Sequence, residues 1–168
     1  MRILGIDPGI AIVGYGVVDK EANRYKTVAY DAITTKAHTP LEERLHLVYL
    51  GVSQIIDIYK PDAMAIEELF FNNNAKTALT VGQARGVIIL AAVQKKVPIF
   101  EYTPLQVKQA LTGYGRASKG QIQQMMKSML ALNEIPKPDD VADALAIAVC
   151  HGNSMRFNSI KQYGGLVL

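Results

Sequence analysis

Acidic residues stand at four places in this 168-residue chain where a strand or a helix is predicted to begin or end. Asp7 closes a first apolar run and is followed by the turn-forming pair Pro8-Gly9, and Glu67 closes a second run. Asp140 and Asp143 come at the start of a predicted final helix. Because ligands bind outside the carboxyl ends of strands in open α/β sheets, these positions suit a ligand site. Taken alone, however, Asp7 is better explained as a residue that caps its own turn.

The spacing of Asp140 and Asp143 places both carboxylates on one face of a helix, with Cβ atoms about 5 to 6 Å apart. Acids in a first helical turn stabilise it by roughly 0.3 to 1 kcal/mol each, which accounts for one of the pair and for the neighbouring Asp139. Asp143 is different because it lies within the apolar run of residues 141–148. A carboxylate in that position is unfavourable unless a cation meets it.

Mg²⁺ is the cation that such a set of carboxylates predicts. It prefers oxygen ligands and retains several waters, so a few carboxylates and the phosphate oxygens of a substrate complete a typical site. Two ions about 3.5 to 4 Å apart activate a water and stabilise the departing oxygen in phosphodiester cleavage. The three histidines, His38, His46 and His151, and the single Cys150 form no cluster in the sequence and are interpreted as ordinary polar or packed residues.

The elements that must position these acids begin with a predicted antiparallel meander of β-branched and aromatic segments in residues 1–35. A helix introduced by Pro40 follows through Tyr59. Residues 62–67 are almost continuously apolar, as expected of a strand buried on both faces. A long helix and a short strand at residues 97–102 complete a strand–helix–strand unit, which implies parallel pairing with a right-handed crossover.

Three further helices are predicted after the last strand. The first begins at the cap Thr103-Pro104 and ends near Gly113. Residues 113–120 are interpreted as a flexible basic loop that carries Lys119, and the next helix covers about residues 121–132. The last helix follows two prolines and carries the paired aspartates.

Length and composition predict one α/β domain. With 49% hydrophobic residues, the chain supplies one core and little material for a second. We expect the domain to cover residues 1–153 and to contain a mixed five-stranded sheet flanked by helices, followed by a C-terminal tail of unknown role at residues 154–168. No apolar run approaches the ~20 residues of a membrane span, so a soluble, cytoplasmic protein with no membrane partner is expected.

Positive charge is concentrated in one segment of the chain. Residues 69–133 contain eight basic residues and one acid, a net charge of +7, whereas the remainder carries −4. Such asymmetry favours a surface that attracts a polyanion. The candidate polyanion contacts in this segment include Lys76, Arg85, Lys108, Arg116 and Lys119, although each lysine alone is also compatible with simple solvent exposure.

Short motifs with compatible spacing follow one another along the chain, namely GIDPG at 5–9 with GYG at 14–16, AIE at 65–67, GQARG at 82–86, QVK at 106–108 and ADALAIA at 142–148. No single motif is decisive, but the ordered set is highly specific. Taken together, the motifs resemble the RuvC family, the bacterial Holliday junction resolvases of the ribonuclease H-like fold group.

By that resemblance, Asp7, Glu67, Asp140 and Asp143 are the family's catalytic, metal-binding carboxylates. The adjacent Glu68 introduces an ambiguity, since neighbouring strand positions face opposite ways and only one of the two glutamates can enter the site. The resemblance selects Glu67.

The resemblance also implies which residues contact DNA and how the chain assembles. Lys108 and Lys119 match basic residues used near the scissile phosphate, and Phe70 matches an aromatic residue that stacks on bases at the junction, whereas Phe71 has no assigned role. The helix carrying the GQARG motif is implicated in dimer contacts. A homodimer is therefore expected, which suits a four-way junction with two symmetric strands to cut.

The function implied is that of an endonuclease that nicks two opposed strands of a Holliday junction and leaves 5′-phosphate ends. The resemblance also implies a pair of Mg²⁺ ions in each subunit, for which Mn²⁺ can substitute. It further implies cooperation with the RuvA and RuvB branch-migration proteins. The alternatives are an RNA-processing nuclease of the same fold, a junction-binding protein without catalysis, and an ATP-binding protein of the actin and sugar-kinase type. Length disfavours the last, because that group needs two such domains.

Overall fold

A mixed five-stranded sheet forms the centre of the protein in the computed structural model, which describes residues 1–68 and 75–163, except the side chains of 75–77 and 156–163. The strands are β1 (Arg2–Asp7), β2 (Ile12–Glu21), β3 (Arg24–Thr34), β4 (Ala63–Glu67) and β5 (Ile99–Tyr102). They lie in the order β3-β2-β1-β4-β5. The first three are antiparallel, whereas β4 is parallel to β1 and β5 is parallel to β4. The predicted meander and parallel unit are both confirmed.

In the described ranges, five helices cover the two faces of this sheet. They are α1 (Leu41–Tyr59), α2 (Ala75–Gln94), α3 (Pro104–Thr112), α4 (Lys119–Met129) and α5 (Asp139–Tyr163). One apolar core joins α1 and α2 to the first face, and a second core joins α3, α4 and α5 to the other face. None of these helices is long and apolar enough to cross a membrane.

Alternation along β1 determines which of its side chains meet which layer of helices. Leu4 and Ile6 belong to the core beneath α1 and α2, whereas Ile3 belongs to the core beneath α5. Because successive strand residues face opposite ways, Gly5 and Asp7 share the α5 face with Ile3. The same alternation in β4 directs Ala65 and Glu67 to the α5 face.

Glycines on β1 and β2 let α5 lie directly against the sheet backbone. A Cβ atom on Gly5 would overlap the carbonyl oxygen of Ala144, and one on Gly14 would overlap the carbonyl oxygen of Asp140. The first turns of α5, which carry the paired aspartates, are therefore held against the strand that ends at Asp7.

The helix α4 begins earlier than the sequence predicts. Ser118 caps it: the Gln121 backbone N–H donates to Ser118 Oγ at 3.3 Å, and the Ser118 backbone N–H donates to Gln121 Oε1 at 2.8 Å. Lys119 consequently lies in the first turn of a helix. The expectation of a flexible loop at this residue is wrong, because the reciprocal cap extends the helix into the glycine-containing segment. The cap predicted for α3 at Thr103 is confirmed.

The helix α5 continues through Tyr163, beyond the domain boundary expected at residue 153. At that boundary, Tyr25 Oη donates to Asn153 Oδ1 at 2.8 Å, and Asn153 Nδ2 donates to the carbonyl of Ala110 at 2.9 Å. These bonds fasten α5 to the end of the β2–β3 hairpin and to α3. The division into a domain and a tail stays a prediction.

We expect Gly14→Ala to lower the free energy of unfolding by about 1 to 3 kcal/mol, because the added methyl group overlaps α5 backbone that cannot rotate away. Urea denaturation followed by circular dichroism at neutral pH measures the change. Gly120→Ala is the matched control, since a Cβ there enters open space in a helix and should raise stability by roughly 0.5 to 1 kcal/mol. Equal stability of Gly14→Ala and the parent would contradict the close-packing argument.

Candidate active site

Two of the predicted acids lie side by side at the carboxyl ends of neighbouring parallel strands. Asp7 ends β1 and Glu67 ends β4, and the residues before them, Ile6 and Ile66, are paired in register. Both acids direct their side chains to the α5 face. The first turns of α5 add Asp140 and Asp143, since Asp140 lies where α5 meets Gly14, the β2 residue paired with Asp7.

Burial and neighbouring negative charge both oppose ionisation of these carboxylates. Burial raises the pKa of Asp7 to about 7, and the charges of Glu67, Asp143 and Asp140 add to the effect. Burial, followed by the charge of Asp143, also raises the pKa of Glu67, and burial raises the pKa of Asp143. The cluster therefore has a deficit of positive charge.

Lys119 supplies a cation at the edge of this cluster. Its Nζ atom donates a hydrogen bond to Asp143 Oδ2 at 3.1 Å and lies 3.2 Å from Asp139 Oδ2. Burial alone would lower the pKa of Lys119, but the bonds to Asp143 and Asp139 raise it. Its charge in turn lowers the pKa of Asp7, although burial and the other acids outweigh it. One ammonium group thus offsets only part of the negative charge.

The donor chemistry of the cluster fits a hard divalent cation. All four side chains offer carboxylate oxygen, and at least three of them carry a pKa raised by burial or by neighbouring acids, which a bound cation would reverse. Within residues 1–68 and 75–163, no three acidic, histidine or cysteine side chains stand close enough to coordinate one ion as they are placed. The match therefore rests on donor type and charge.

A pocket of about 230 Å³ opens beside the cluster between α3, α4 and α5. Two carboxylates, Glu67 and Asp143, and two lysines, Lys108 and Lys119, line it. The rest of the lining is apolar and consists of Pro104, Val107, Ile122, Ala146 and Ile147. Carboxylates and ammonium groups in one cavity suit a phosphate that is bound next to a metal ion.

The other predicted site residues are distributed differently. The Glu68 side chain is exposed, and its backbone N–H donates to the Tyr102 carbonyl at 2.9 Å. Arg116 is exposed. Phe70 and the side chain of Lys76 lie outside the described part of the chain.

Arg85 is not on the surface of the pocket. Its side chain is only 14% exposed and lies against Glu101, and its Nε atom donates to the backbone carbonyl of Glu67 at 3.3 Å.

Sequence reasoning missed three features of the site. Asp139, interpreted as a helix-dipole residue, also pairs with Lys119. The S-x-x-Q pattern from Ser118 to Gln121 is a capping signal in the sequence, and it would have placed Lys119 on α4. Nothing in the sequence pattern signals the contacts of Arg85, because its partners come from different strands.

Comparison with known proteins identifies the family of the chain. A protein-family model described as "Crossover junction endodeoxyribonuclease RuvC" matches residues 3–151. The chain belongs to the RuvC family. The crossover junction endodeoxyribonuclease RuvC of Halothermothrix orenii is 58% identical over 158 residues, which cover 94% of this chain and 96% of that protein.

Solved RuvC structures share the fold. The Thermus thermophilus RuvC structure superposes with a TM-score of 0.86 at 38% identity and covers 94% of this chain and 97% of its own. Thermus thermophilus RuvC in complex with a Holliday junction substrate gives a TM-score of 0.86 at 35% identity, with 94% and 96% covered. The predicted RuvC resemblance and the ribonuclease H-like fold are confirmed, and the ATP-binding alternative is not favoured.

Asp7→Asn should stabilise the metal-free protein at neutral and alkaline pH. The folded state disfavours the ionised carboxylate of Asp7, whose pKa is about 7 rather than 3.8, so stability is lost as pH rises from about 4 to 7. One pKa unit corresponds to about 1.4 kcal/mol. The neutral amide of Asp7→Asn should therefore raise the free energy of unfolding by at most about 4 kcal/mol above pH 7, and this increase should vanish near pH 4.

Thermal unfolding of the protein in EDTA at a series of pH values measures this effect. Glu68→Gln is the control, because its exposed side chain lies outside the cluster and should leave the midpoint unchanged. A midpoint for Asp7→Asn that equals the parent's at pH 8 would show that the folded state does not disfavour the ionised carboxylate of Asp7.

Proposed function

We propose that this protein is a divalent-metal-dependent endonuclease that resolves Holliday junctions by paired nicks in opposed strands. The observation that carries the proposal is the convergence of Asp7, Glu67, Asp140 and Asp143 at one sheet edge beside a lysine-lined pocket. The family supports the substrate, since the Thermus thermophilus relative is described in complex with a Holliday junction.

The four carboxylates are the proposed ligands of a pair of Mg²⁺ ions in each subunit, for which Mn²⁺ can substitute. When bound, ions of this kind would supply activation of the attacking water and stabilisation of the departing oxygen, and the products would carry 5′-phosphate and 3′-hydroxyl ends. Asp7 and Glu67 would hold the metal from the ends of β1 and β4, and Asp140 and Asp143 from the first turns of α5. Burial and neighbouring acids raise the pKa values of Asp7 and Glu67, and a bound cation would lower them again by stabilising the ionised carboxylates.

Lys108 and Lys119 are the proposed contacts to the phosphate next to the cut. Both line the pocket that contains Glu67 and Asp143. The ammonium group of Lys119, bonded to Asp143 in the free protein, can exchange that partner for a phosphate oxygen when a metal ion neutralises the acid. It would thereby stabilise the negative charge that develops on the phosphate during cleavage.

The remaining DNA contacts extend this positive surface. Arg116 is exposed in the segment between α3 and α4 and is available to a phosphate backbone. Lys76 and Phe70 are proposed from the family resemblance alone. Affinity that comes from such phosphate contacts is independent of sequence and falls steeply with salt concentration.

The exposed face of α2 is the proposed homodimer interface. Leu79, Leu90 and Val93 are 66%, 48% and 59% exposed, and a Cβ on Gly86 would enter open space. Their spacing of seven, four and three residues places all four on one helical face. A two-fold dimer through α2 would present two active sites to the symmetric strands of a junction. RuvA and RuvB are the proposed partner proteins, and the cytoplasm is the proposed location.

Cleavage of a synthetic four-way junction in Mg²⁺ tests the nuclease assignment. Asp7→Asn and Glu67→Gln should each lower the cleavage rate by about 100-fold or more, since a metal ion supplies several kcal/mol of transition-state stabilisation. Junction binding in EDTA should survive both changes. Glu68→Gln is the matched control and should cleave at the parent's rate.

Cleavage by both variants at the parent's rate would refute the assignment. A parallel assay on structured RNA tests the RNA-processing alternative, which requires RNA to be cut in preference to the junction. Binding of the junction by the parent without any nicking would instead favour a junction-binding protein that lacks catalysis.

Leu90→Glu combined with Val93→Glu should convert the dimer to a monomer, because two charges would be buried in an apolar interface. Analytical ultracentrifugation reports the mass of each species. Tyr30→Glu, on the exposed strand β3, is the control and should remain dimeric. A dimer that persists in the double variant would place the interface elsewhere.

A further inference from the structure

Arg85 reaches the end of β4 from the side of the sheet opposite to the carboxylate cluster. It lies on α2, which packs with α1 against the face that contains Ile66. Its Nε atom donates to the backbone carbonyl of Glu67 at 3.3 Å, and its Nη2 atom lies 2.8 Å from Glu101 Oε2. One guanidinium group therefore contacts both β4 and β5.

The two contacts fall at neighbouring positions of the parallel pair. Ile66 is in register with Glu101, and Glu67 is in register with Tyr102. The side chain of Glu101 points to the α2 side, because Ile99, two residues earlier, packs into the core beneath α1 and α2. Arg85 thus bridges the carboxyl ends of two strands at the residue whose side chain enters the active site.

This placement differs from that of a DNA-binding arginine. The side chain is 14% exposed, and a carboxylate already balances its charge. Among the described residues, no acceptor meets the Nη2 atom at an angle suitable for a hydrogen bond. The 2.8 Å contact between Nη2 and Glu101 Oε2 is therefore an ion pair. The sheet also separates the guanidinium from the pocket that holds Lys108 and Lys119.

We infer that Arg85 is a positioning residue for Glu67. Held by Glu101, the guanidinium fixes the peptide carbonyl of Glu67 and with it the direction in which this carboxylate is offered to the metal. This role rests on the proposed metal-dependent nuclease, and it replaces the DNA contact expected of Arg85 from the sequence.

Arginine is suited to this position because its donors point in several fixed directions. The planar fork can donate to a carbonyl through Nε and face a carboxylate through Nη2 at the same time. A lysine at residue 85 has a single ammonium group on a flexible stem, so it can retain the ion pair without fixing the carbonyl. Arg85→Lys should therefore preserve the charge and weaken the positioning of Glu67.

The test compares Arg85→Gln, Arg85→Lys and Glu101→Gln with the parent. Lys95→Gln is the matched control, because it removes a different ion pair, the 2.6 Å contact between Lys95 Nζ and Asp57 Oδ2. Lys95 follows the last residue of α2, ten residues after Arg85. Three quantities are measured for each full-length protein: Mn²⁺ affinity without DNA, junction affinity in EDTA at several salt concentrations, and the thermal midpoint.

Positioning predicts that Arg85→Gln raises the Mn²⁺ dissociation constant by on the order of 10- to 100-fold, as loss of a partner that orients a metal ligand does. Glu101→Gln and Arg85→Lys should shift it in the same direction by less. Junction affinity in EDTA and its salt dependence should match the parent's, and Lys95→Gln should leave the Mn²⁺ affinity unchanged.

Two outcomes would overturn the inference. If Arg85 contacts DNA, Arg85→Gln weakens junction binding and lowers the salt slope by about 1, whereas Glu101→Gln does not weaken binding. If its role is only structural, the thermal midpoint falls while the Mn²⁺ affinity measured well below that midpoint stays at the parent's value. If Arg85→Gln fails to fold, the same three measurements on Arg85→Lys and Glu101→Gln still test the inference.

Failure of the positioning role is distinguishable from failure of the nuclease assignment. If Asp7→Asn and Glu67→Gln abolish cleavage while the Arg85 variants bind Mn²⁺ normally, only the role of Arg85 is wrong. If Asp7→Asn and Glu67→Gln cut the junction as the parent does, the metal site itself is wrong.

Discussion

The contact between the backbone of α5 and the backbones of β1 and β2 is the constraint on which the candidate active site depends. A helix normally rests on side chains that separate it from a sheet, but Gly5 and Gly14 remove that spacer. The acids at the strand ends and the acids on the helix are far apart in sequence and meet only because the two elements touch. The positions of the acids relative to one another therefore depend on how closely α5 packs against the sheet.

The site stores unfavourable electrostatic energy within a well-packed scaffold. Burial and like charge oppose ionisation of the Asp7 carboxylate, and the ammonium group of Lys119 offsets this only in part. The apolar cores on both faces of the sheet supply the stability that holds these groups together. Such a balance is typical of functional sites. The folded protein is less stable than it could be, because the site keeps charged groups that a bound ligand would neutralise.

Much of this fold could be predicted because its signals are local. The apolar strands, the Pro40 helix start and the Thr103 cap are each encoded within a few residues, and strand ends identify Asp7 and Glu67 as candidates. The family resemblance was needed to choose Glu67 over Glu68. Roles that depend on partners distant in sequence could not be predicted, so Arg85 was grouped with surface bases although Glu101 neutralises it in the fold.

The reciprocal cap of α4 fixes the backbone of Lys119, so only the side chain of this lysine must move when it changes its hydrogen-bond partner. Its backbone lies in the first turn of a helix, closed by Ser118 and Gln121, so the main chain does not need to rearrange. Only side-chain torsions separate the bond to Asp143 from a bond to a phosphate. Rotamer changes of exposed side chains take picoseconds to nanoseconds, whereas loop motions take nanoseconds to microseconds. At this wall of the pocket, the lysine can therefore change its hydrogen-bond partner without waiting for a loop to move.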